Sequence, residues 1–265
     1  MQNQDKIISI RNASLILGER EILKDINWEV RRGENWFILG ANGAGKTTLT
    51  RMLLGLVWPK YGAEVSVLGN RFGSCDIFEV RRKIAWISPF LQNWTSSRWT
   101  SLEVVLSGID GTVGLYRKTS ANEKKKALEV MESLDSAKFA DRPFEFLSSG
   151  EQIKVLIARS MMTNPAIMIL DEACVHLDMK SREFLLESVD TFVRKPGSPS
   201  VFFITQRIEE ILPVFDMGLV LKEGKILVSG PRKEILSEKV LYKAFDIPLK
   251  LHHSKDGRIW ITPFQ

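Results

Sequence analysis

Gly40-Ala41-Asn42-Gly43-Ala44-Gly45-Lys46-Thr47 reads G-x-x-x-x-G-K-T, the pattern of a phosphate-binding loop. The residues before it, Asn35-Trp36-Phe37-Ile38-Leu39, are mostly apolar and predict a buried strand; Thr48 to Leu56 predict a helix. The glycines let the backbone curl until several N–H groups face one point. The helix N-terminus adds positive dipole at that point. Lys46 supplies charge for the β- and γ-phosphates of a nucleotide, and the Thr47 hydroxyl is placed to ligate Mg²⁺. Gly40, Ala41, Asn42, Gly43, Ala44, Gly45, Lys46, Thr47 and Thr48 are therefore the predicted phosphate-contacting residues.

Outward from the loop, the chain has 265 residues, 44% hydrophobic and 26% charged, which predicts one or two domains with a sizeable core. The net charge of +5 is a mild excess that a solvated surface accounts for, so no specific nucleic acid is expected. Cys75 and Cys174 are far apart, which argues against a disulfide framework and for a reducing cytosol. Met1-Gln2-Asn3-Gln4-Asp5 lacks the shape of a signal peptide. No apolar run approaches the ~18 residues that span a bilayer, so a membrane role would need another chain.

Residues 7–17 and 26–30 read as strands, as do Ala63–Leu68 and Ile84–Ile87, the last ended by Ser88-Pro89. Residues 93–143 turn helical. Ser101 is a predicted cap over Leu102, Val105 and Leu106. Ser120-Ala121-Asn122-Glu123 is a capping-box pattern, behind which Ala127, Leu128, Met131 and Leu134 share a face. Lys124-Lys125-Lys126 reads as its solvated side. Residues 151–162 predict a helix burying Ile153, Leu156, Ile157 and Met161. Ala166–Leu170 and Val201–Ile204 are continuous apolar runs, as in central strands of a parallel sheet. Met217–Leu221 and Lys225–Val228 flank Lys222-Glu223-Gly224 as a hairpin. The tail predicts a helix, then Leu249 to Ile261 folding around Asp256-Gly257.

Ile167-Met168-Ile169-Leu170-Asp171-Glu172 delivers two carboxylates at the carboxyl end of a strand, where ligands sit in open α/β sheets. Asp171 is a candidate Mg²⁺ ligand. Glu172 is a candidate for orienting or deprotonating an attacking water. Upstream, Leu147-Ser148-Ser149-Gly150-Glu151-Gln152 opens a helix and resembles the Leu-Ser-Gly-Gly-Gln signature of ATP-binding cassette (ABC) proteins. Phosphate loop, signature, Walker B strand and a following Leu177-Asp178 occur in that family's order and spacing over about residues 6–230. The tail, with Gly257-Arg258-Ile259-Trp260, further resembles stand-alone cassettes of bacterial transport systems.

The resemblance implies an α/β P-loop NTPase core with a mainly parallel sheet, an N-terminal antiparallel β subdomain and a helical insertion at about 93–143. The cassette would cover 1–230, and 231–265 would be an extension of a helix plus a β-hairpin. It implies ATP and Mg²⁺ as cofactors, and a second ABC cassette as partner, in a homodimer or heterodimer. Ser148, Ser149, Gly150 and Glu151 would then face a γ-phosphate held by the other subunit. It also implies a separate membrane-spanning subunit and a cytoplasmic, peripheral place on the inner membrane face. Phe90, Leu91, Trp94 and Trp99 are the candidate docking residues, with internal packing favoured for Trp99.

The chain departs from the family at several points. Leu17, followed by Gly18, stands where an aromatic residue stacks on adenine, so apolar packing replaces π-stacking. Pro89 stands where the family has a glutamine; Gln92, three residues later, is either a substitute Mg²⁺ ligand or a polar loop residue. Cys174-Val175-His176 follows the Walker B acids where a serine is common at 175. Gln206 stands at the position of the switch histidine. His176 is not at the switch, and the adjacent His252 and His253 would point to opposite faces of a strand. The family reading is the ATPase subunit of a transporter. Its alternatives are a soluble non-transport cassette and a regulatory cassette with weak hydrolysis.

Overall fold

The computed structural model describes residues 5–88, 99–110, 115–175 and 177–264. In chain order the strands are β1 (Lys6–Leu17), β2 (Arg20–Arg31), β3 (Trp36–Leu39), β4 (Glu64–Val67), β5 (Asn70–Arg71), β6 (Ile84–Ile87), β7 (Ile167–Asp171), β8 (Ser200–Thr205), β9 (Met217–Lys222), β10 (Lys225–Pro231), β11 (Leu249–His253) and β12 (Ile259–Pro263). Two compact units divide the chain, one drawn from Met1–Arg81 with Ser200–Gln265, the other from Arg82–Pro199.

In the first unit β1 and β2 form a long antiparallel hairpin that turns at Gly18-Glu19, and β4 joins the other side of β1. Along β2, Ile26, Trp28 and Val30 are buried while Asn27, Glu29 and Arg31 are exposed, the period of a half-buried strand. This strand starts six residues before the predicted one. Residues 20–25 are mostly polar, and the pairing there is irregular. Asp25 has φ 49°, its N–H donates to Ser14 Oγ at 2.9 Å, and Asn12 N–H donates to Asn27 Oδ1 at 2.9 Å. Side-chain partners thus replace ladder bonds that the hydrophobic pattern cannot reveal.

β3 runs parallel to both β8 and β9, and β10 returns antiparallel to β9. All residues of β3 and β8 are buried, as their unbroken apolar runs predict. Trp28 lies edge-on to Trp36 at 5.4 Å and to Phe202 at 5.7 Å, which joins the hairpin to these strands. The tail is the expected helix, Glu238–Phe245, followed by a β11–β12 hairpin. His252 pairs with Trp260 and His253 with Ile259.

In the second unit β6 and β7 pair in parallel. The helix Ser149–Met161 packs against β6 and against the helices Ser101–Ser107, Ala121–Ser133 and Met179–Val193. The capping box at Ser120 and Glu123 is present. The cap of the preceding helix is Thr100, not Ser101. Glu103 lies three residues after Thr100 and closes a capping box there, while Ser101 is buried and donates to Arg142 O at 3.0 Å. Ala127, Met131 and Leu134 are buried as predicted, but Leu128 is exposed. Met161 is only half-buried, and the adjacent Met162 takes the interior position. Trp99 is half-buried and edge-on to Tyr116 at 5.8 Å, in line with internal packing. Among the described residues no helix is long and apolar enough to cross a membrane.

The helix Ser149–Met161 also buries Lys154, 1% exposed, with Nζ 3.2 Å from the centroid of the Phe184 ring and 3.7 Å from Asp135. Burial pushes the Lys154 ammonium down to about 8, although Asp135 partly opposes this. The native state therefore releases this proton before the unfolded chain does. Between that pH and the ordinary lysine range the unfolded state binds more protons, so stability rises with pH; below it the full cost of a buried ammonium persists. Lys154→Met should melt higher than the parent at pH 7, and the gap should shrink as the pH approaches 10. Thermal melts across that range check this; a pH-independent gap would contradict it.

Candidate functional site

The phosphate loop is shaped by what surrounds it. A Cβ on Gly40 would lie 2.5 Å from Leu221 O, and Gly45 has φ 105° with Leu23 of β2 2.9 Å from where its Cβ would stand. No larger residue fits either place without moving backbone or β2. The loop is braced from the β9–β10 turn, where Gly224 N–H donates to Ala44 O at 3.1 Å and Gly224 O accepts from Lys24 N–H at 2.8 Å. Ala41, Asn42 and Gly43 are exposed, so the concave backbone faces solvent. The helix Lys46–Leu53 starts directly at the motif, two residues before the predicted start.

Lys46 is buried, and its Nζ donates to Gly40 O at 2.8 Å and Ala41 O at 3.0 Å. The ammonium is thus held over the loop rim. Thr47 is exposed on the first turn of the helix and Thr48 is half-buried. Leu17 ends β1 opposite Arg20, 42% exposed, on the same hairpin whose Ile22 and Leu23 line Gly45. An apolar surface beside the loop is available for a base without an aromatic ring.

Register places Gln206. Leu39 pairs with Thr205 across the parallel β3 and β8, so the residues that leave the two strands next are Gly40 and Gln206. The half-buried Gln206 therefore emerges beside the start of the phosphate loop.

In the second unit, β7 carries the two acids. Asp171 is 3% exposed, and Glu172 is half-buried with φ 53°. A glutamate in the left-handed region carries strain of about 1–3 kcal/mol, which persists where surrounding structure enforces it. Ile87 pairs with Leu170, so Ser88 leaves β6 beside Asp171. The next residues, including Gln92, Phe90, Leu91 and Trp94, lie outside the described residues, as does His176. Asp178 caps the helix Met179–Val193, accepting from Ser181 N–H at 2.9 Å and Ser181 Oγ at 2.8 Å. The Ser181 backbone bond holds its carboxyl below the usual carboxylate range.

The signature residues open the helix Ser149–Met161. Ser148 Oγ accepts from Glu151 N–H at 3.4 Å, and Glu151 Oε2 accepts from Ser148 N–H at 2.8 Å. Glu151, predicted as a nucleotide contact, is here half of a capping box, with Arg142 at 3.6 Å. Gly150 packs closely on Ser181, 3.1 Å from where a Cβ would stand. The helix start keeps its backbone N–H groups directed outward from the N-terminus.

The model of the family described as ABC transporter matches residues 23–175. The chain belongs to the ABC transporter family. It is 41% identical over 251 residues to the ABC transporter ATP-binding protein YlmA of Bacillus subtilis (strain 168), covering 94% of this chain and 95% of that protein. It is 32% identical to the energy-coupling factor transporter ATP-binding protein EcfA1 of Streptococcus pneumoniae serotype 2, covering 89% of this chain and 84% of that protein. A solved dimeric structure of a bacterial ABC transporter cassette matches with TM-score 0.70 and 26% identity, over 84% of this chain and 98% of that one. An ADP-bound cassette of an ABC transporter matches in fold, with TM-score 0.78 and 22% identity, over 91% and 97%.

The chain is a cassette of the ATP-binding, ATP-hydrolysing kind found in ABC transporters. Several residues of this ABC site escaped the sequence reading. The Gly224 brace was legible as a turn but not as a support for the loop. The buried Thr205–Glu210 hydrogen bond has no sequence pattern, because each residue is ordinary in isolation.

Proposed function

We propose that this ABC cassette binds Mg²⁺-ATP at the phosphate loop, closes with a second cassette over the nucleotide to drive a separate membrane subunit at the inner face of the membrane, and hydrolyses ATP slowly when isolated. The observation that carries the slow rate is the β3–β8 register that brings Gln206, not histidine, out beside Gly40.

Each proposed ligand has the chemistry that the metal takes. Thr47 offers an exposed hydroxyl and Asp171 a buried carboxylate, both hard oxygen donors. Thr47 and Asp171 would hold Mg²⁺, which supplies charge against the phosphate oxygens when bound. Lys46 would meet the phosphates from its place over the loop, and Glu172 would take the proton of the attacking water. Ser148, Ser149 and Gly150 would meet the γ-phosphate held by the other cassette. In this reading Gln206 donates an amide hydrogen bond near the γ-phosphate held by its own phosphate loop but cannot become cationic.

A full stabilising donor is worth about 10²–10³ in rate. A glutamine that keeps one hydrogen bond should lose roughly tenfold relative to histidine. At saturating Mg²⁺-ATP, Gln206→His should be faster and Gln206→Ala slower than the parent. Equal turnover in all three would place Gln206 away from the reacting phosphate.

A further inference from the structure

Behind Gln206 runs a chain of contacts that ends in the C-terminal hairpin. Thr205, the last residue of β8, is 2% exposed, and its Oγ1 donates to Glu210 Oε2 at 2.5 Å. The same Oγ1 accepts from Arg207 N–H at 3.0 Å. The two neighbours of Gln206 are therefore pinned to one oxygen, and that oxygen is pinned to a carboxylate 4% exposed. Glu210 closes the single 3₁₀ turn Ile208–Glu210. A turn of this length has no cooperativity of its own and holds its shape through outside contacts. One such contact comes from the C-terminal hairpin: Arg258 Nη2 donates to Glu209 O at 3.0 Å. The hairpin is tied down in turn, since Gly257 O accepts from Arg232 Nη2 at 2.8 Å, and within it the Trp260 ring lies 5.2 Å from the Arg258 guanidinium.

We propose that the C-terminal hairpin is a positioning element for hydrolysis, in which Arg258 fixes the Ile208–Glu210 turn and that turn, through Glu210 and Thr205, fixes Gln206. This rests on the reading that Gln206 acts at the γ-phosphate. Arg258 touches no reacting atom, so removing it cannot cost more than removing Gln206. The alternative is a hairpin that only adds stability.

The two differ in how Arg258 and Gln206 couple. The experiment measures kcat, KM for ATP and melting temperature in the full chain for Arg258→Ala, Arg258→Lys, Gln206→Ala and the double variant. Arg258→Ala should lower kcat by about threefold to fivefold through misplacement of Gln206, with KM changed by less than about twofold. Arg258→Lys should recover part of the loss, because an ammonium can still donate to Glu209 O. The double variant should be no slower than Gln206→Ala alone. Losses that multiply in the double variant, or a raised KM at unchanged kcat, would overturn the proposal. If Gln206→Ala itself turns over like the parent, the reading beneath it fails, and the proposal falls with it. Should Arg258→Ala not fold, Thr205→Val must reproduce the kcat loss and Thr205→Ser restore it; equal rates in that pair would also overturn the proposal.

Discussion

Lys46→Ala should weaken Mg²⁺-ATP binding by about a hundredfold or more. The lysine donates to Gly40 O and Ala41 O at 2.8 and 3.0 Å from a buried position, so its ammonium is held over the loop before nucleotide arrives. Such preorganisation means that little side-chain entropy is lost on binding. A hydrogen bond to a charged group is worth about 1.5–3 kcal/mol. A hundredfold in affinity corresponds to about 2.8 kcal/mol, so losing one or two contacts to phosphate suffices. The substitution also leaves two loop carbonyls short of a donor, which loosens the cradle. Calorimetric titration checks the affinity, and a thermal melt shows that the variant is folded. Equal affinity in parent and variant would remove the phosphate loop from the binding site.

The second large effect is expected from Glu172→Gln. Glutamine keeps the shape and can still hydrogen-bond to water, but it cannot accept a proton. General-base contributions are typically about 10²–10⁴, so kcat should fall at least about a hundredfold while the affinity for ATP changes little. The strained φ of Glu172 points the same way. Asp171 ends β7 buried, and the chain turns at once, with Val175 N–H donating to Glu172 O at 3.0 Å. That turn holds the second carboxylate half-buried rather than in free solvent. Hydrolysis that persists in Glu172→Gln would mean that another group takes the proton.

The legible parts of this chain are those whose constraint is local. The glycines of the loop answer to φ and to close approach, and the unbroken apolar runs of β3, β7 and β8 answer to burial on both faces. Gln206 directly follows such a run, so its place at the end of β8 is legible. The first half of β2 was hidden because its side chains are polar and its pairing leans on Ser14 and Asn27. Thr100 and Ser101 are both capping residue types, and only the Thr100-to-Glu103 spacing distinguishes the cap. Lys154 could not be read as buried, since a lysine on a helix is nearly always solvated. The link from Arg258 to Glu209 spans 49 residues, and no periodicity connects the two.

The most direct test of the central claim, a cassette that closes around ATP with a second copy or partner cassette, is the mass of Glu172→Gln in solution. Blocked hydrolysis should leave the closed state populated, because ATP then favours it without being consumed. Light scattering at saturating Mg²⁺-ATP should give a mass near twice the 30.1 kDa of one chain, and a mass near 30.1 kDa without nucleotide. A mass of one chain in both conditions, with ATP shown to be bound, would contradict ATP-driven closure of this cassette with its own copy.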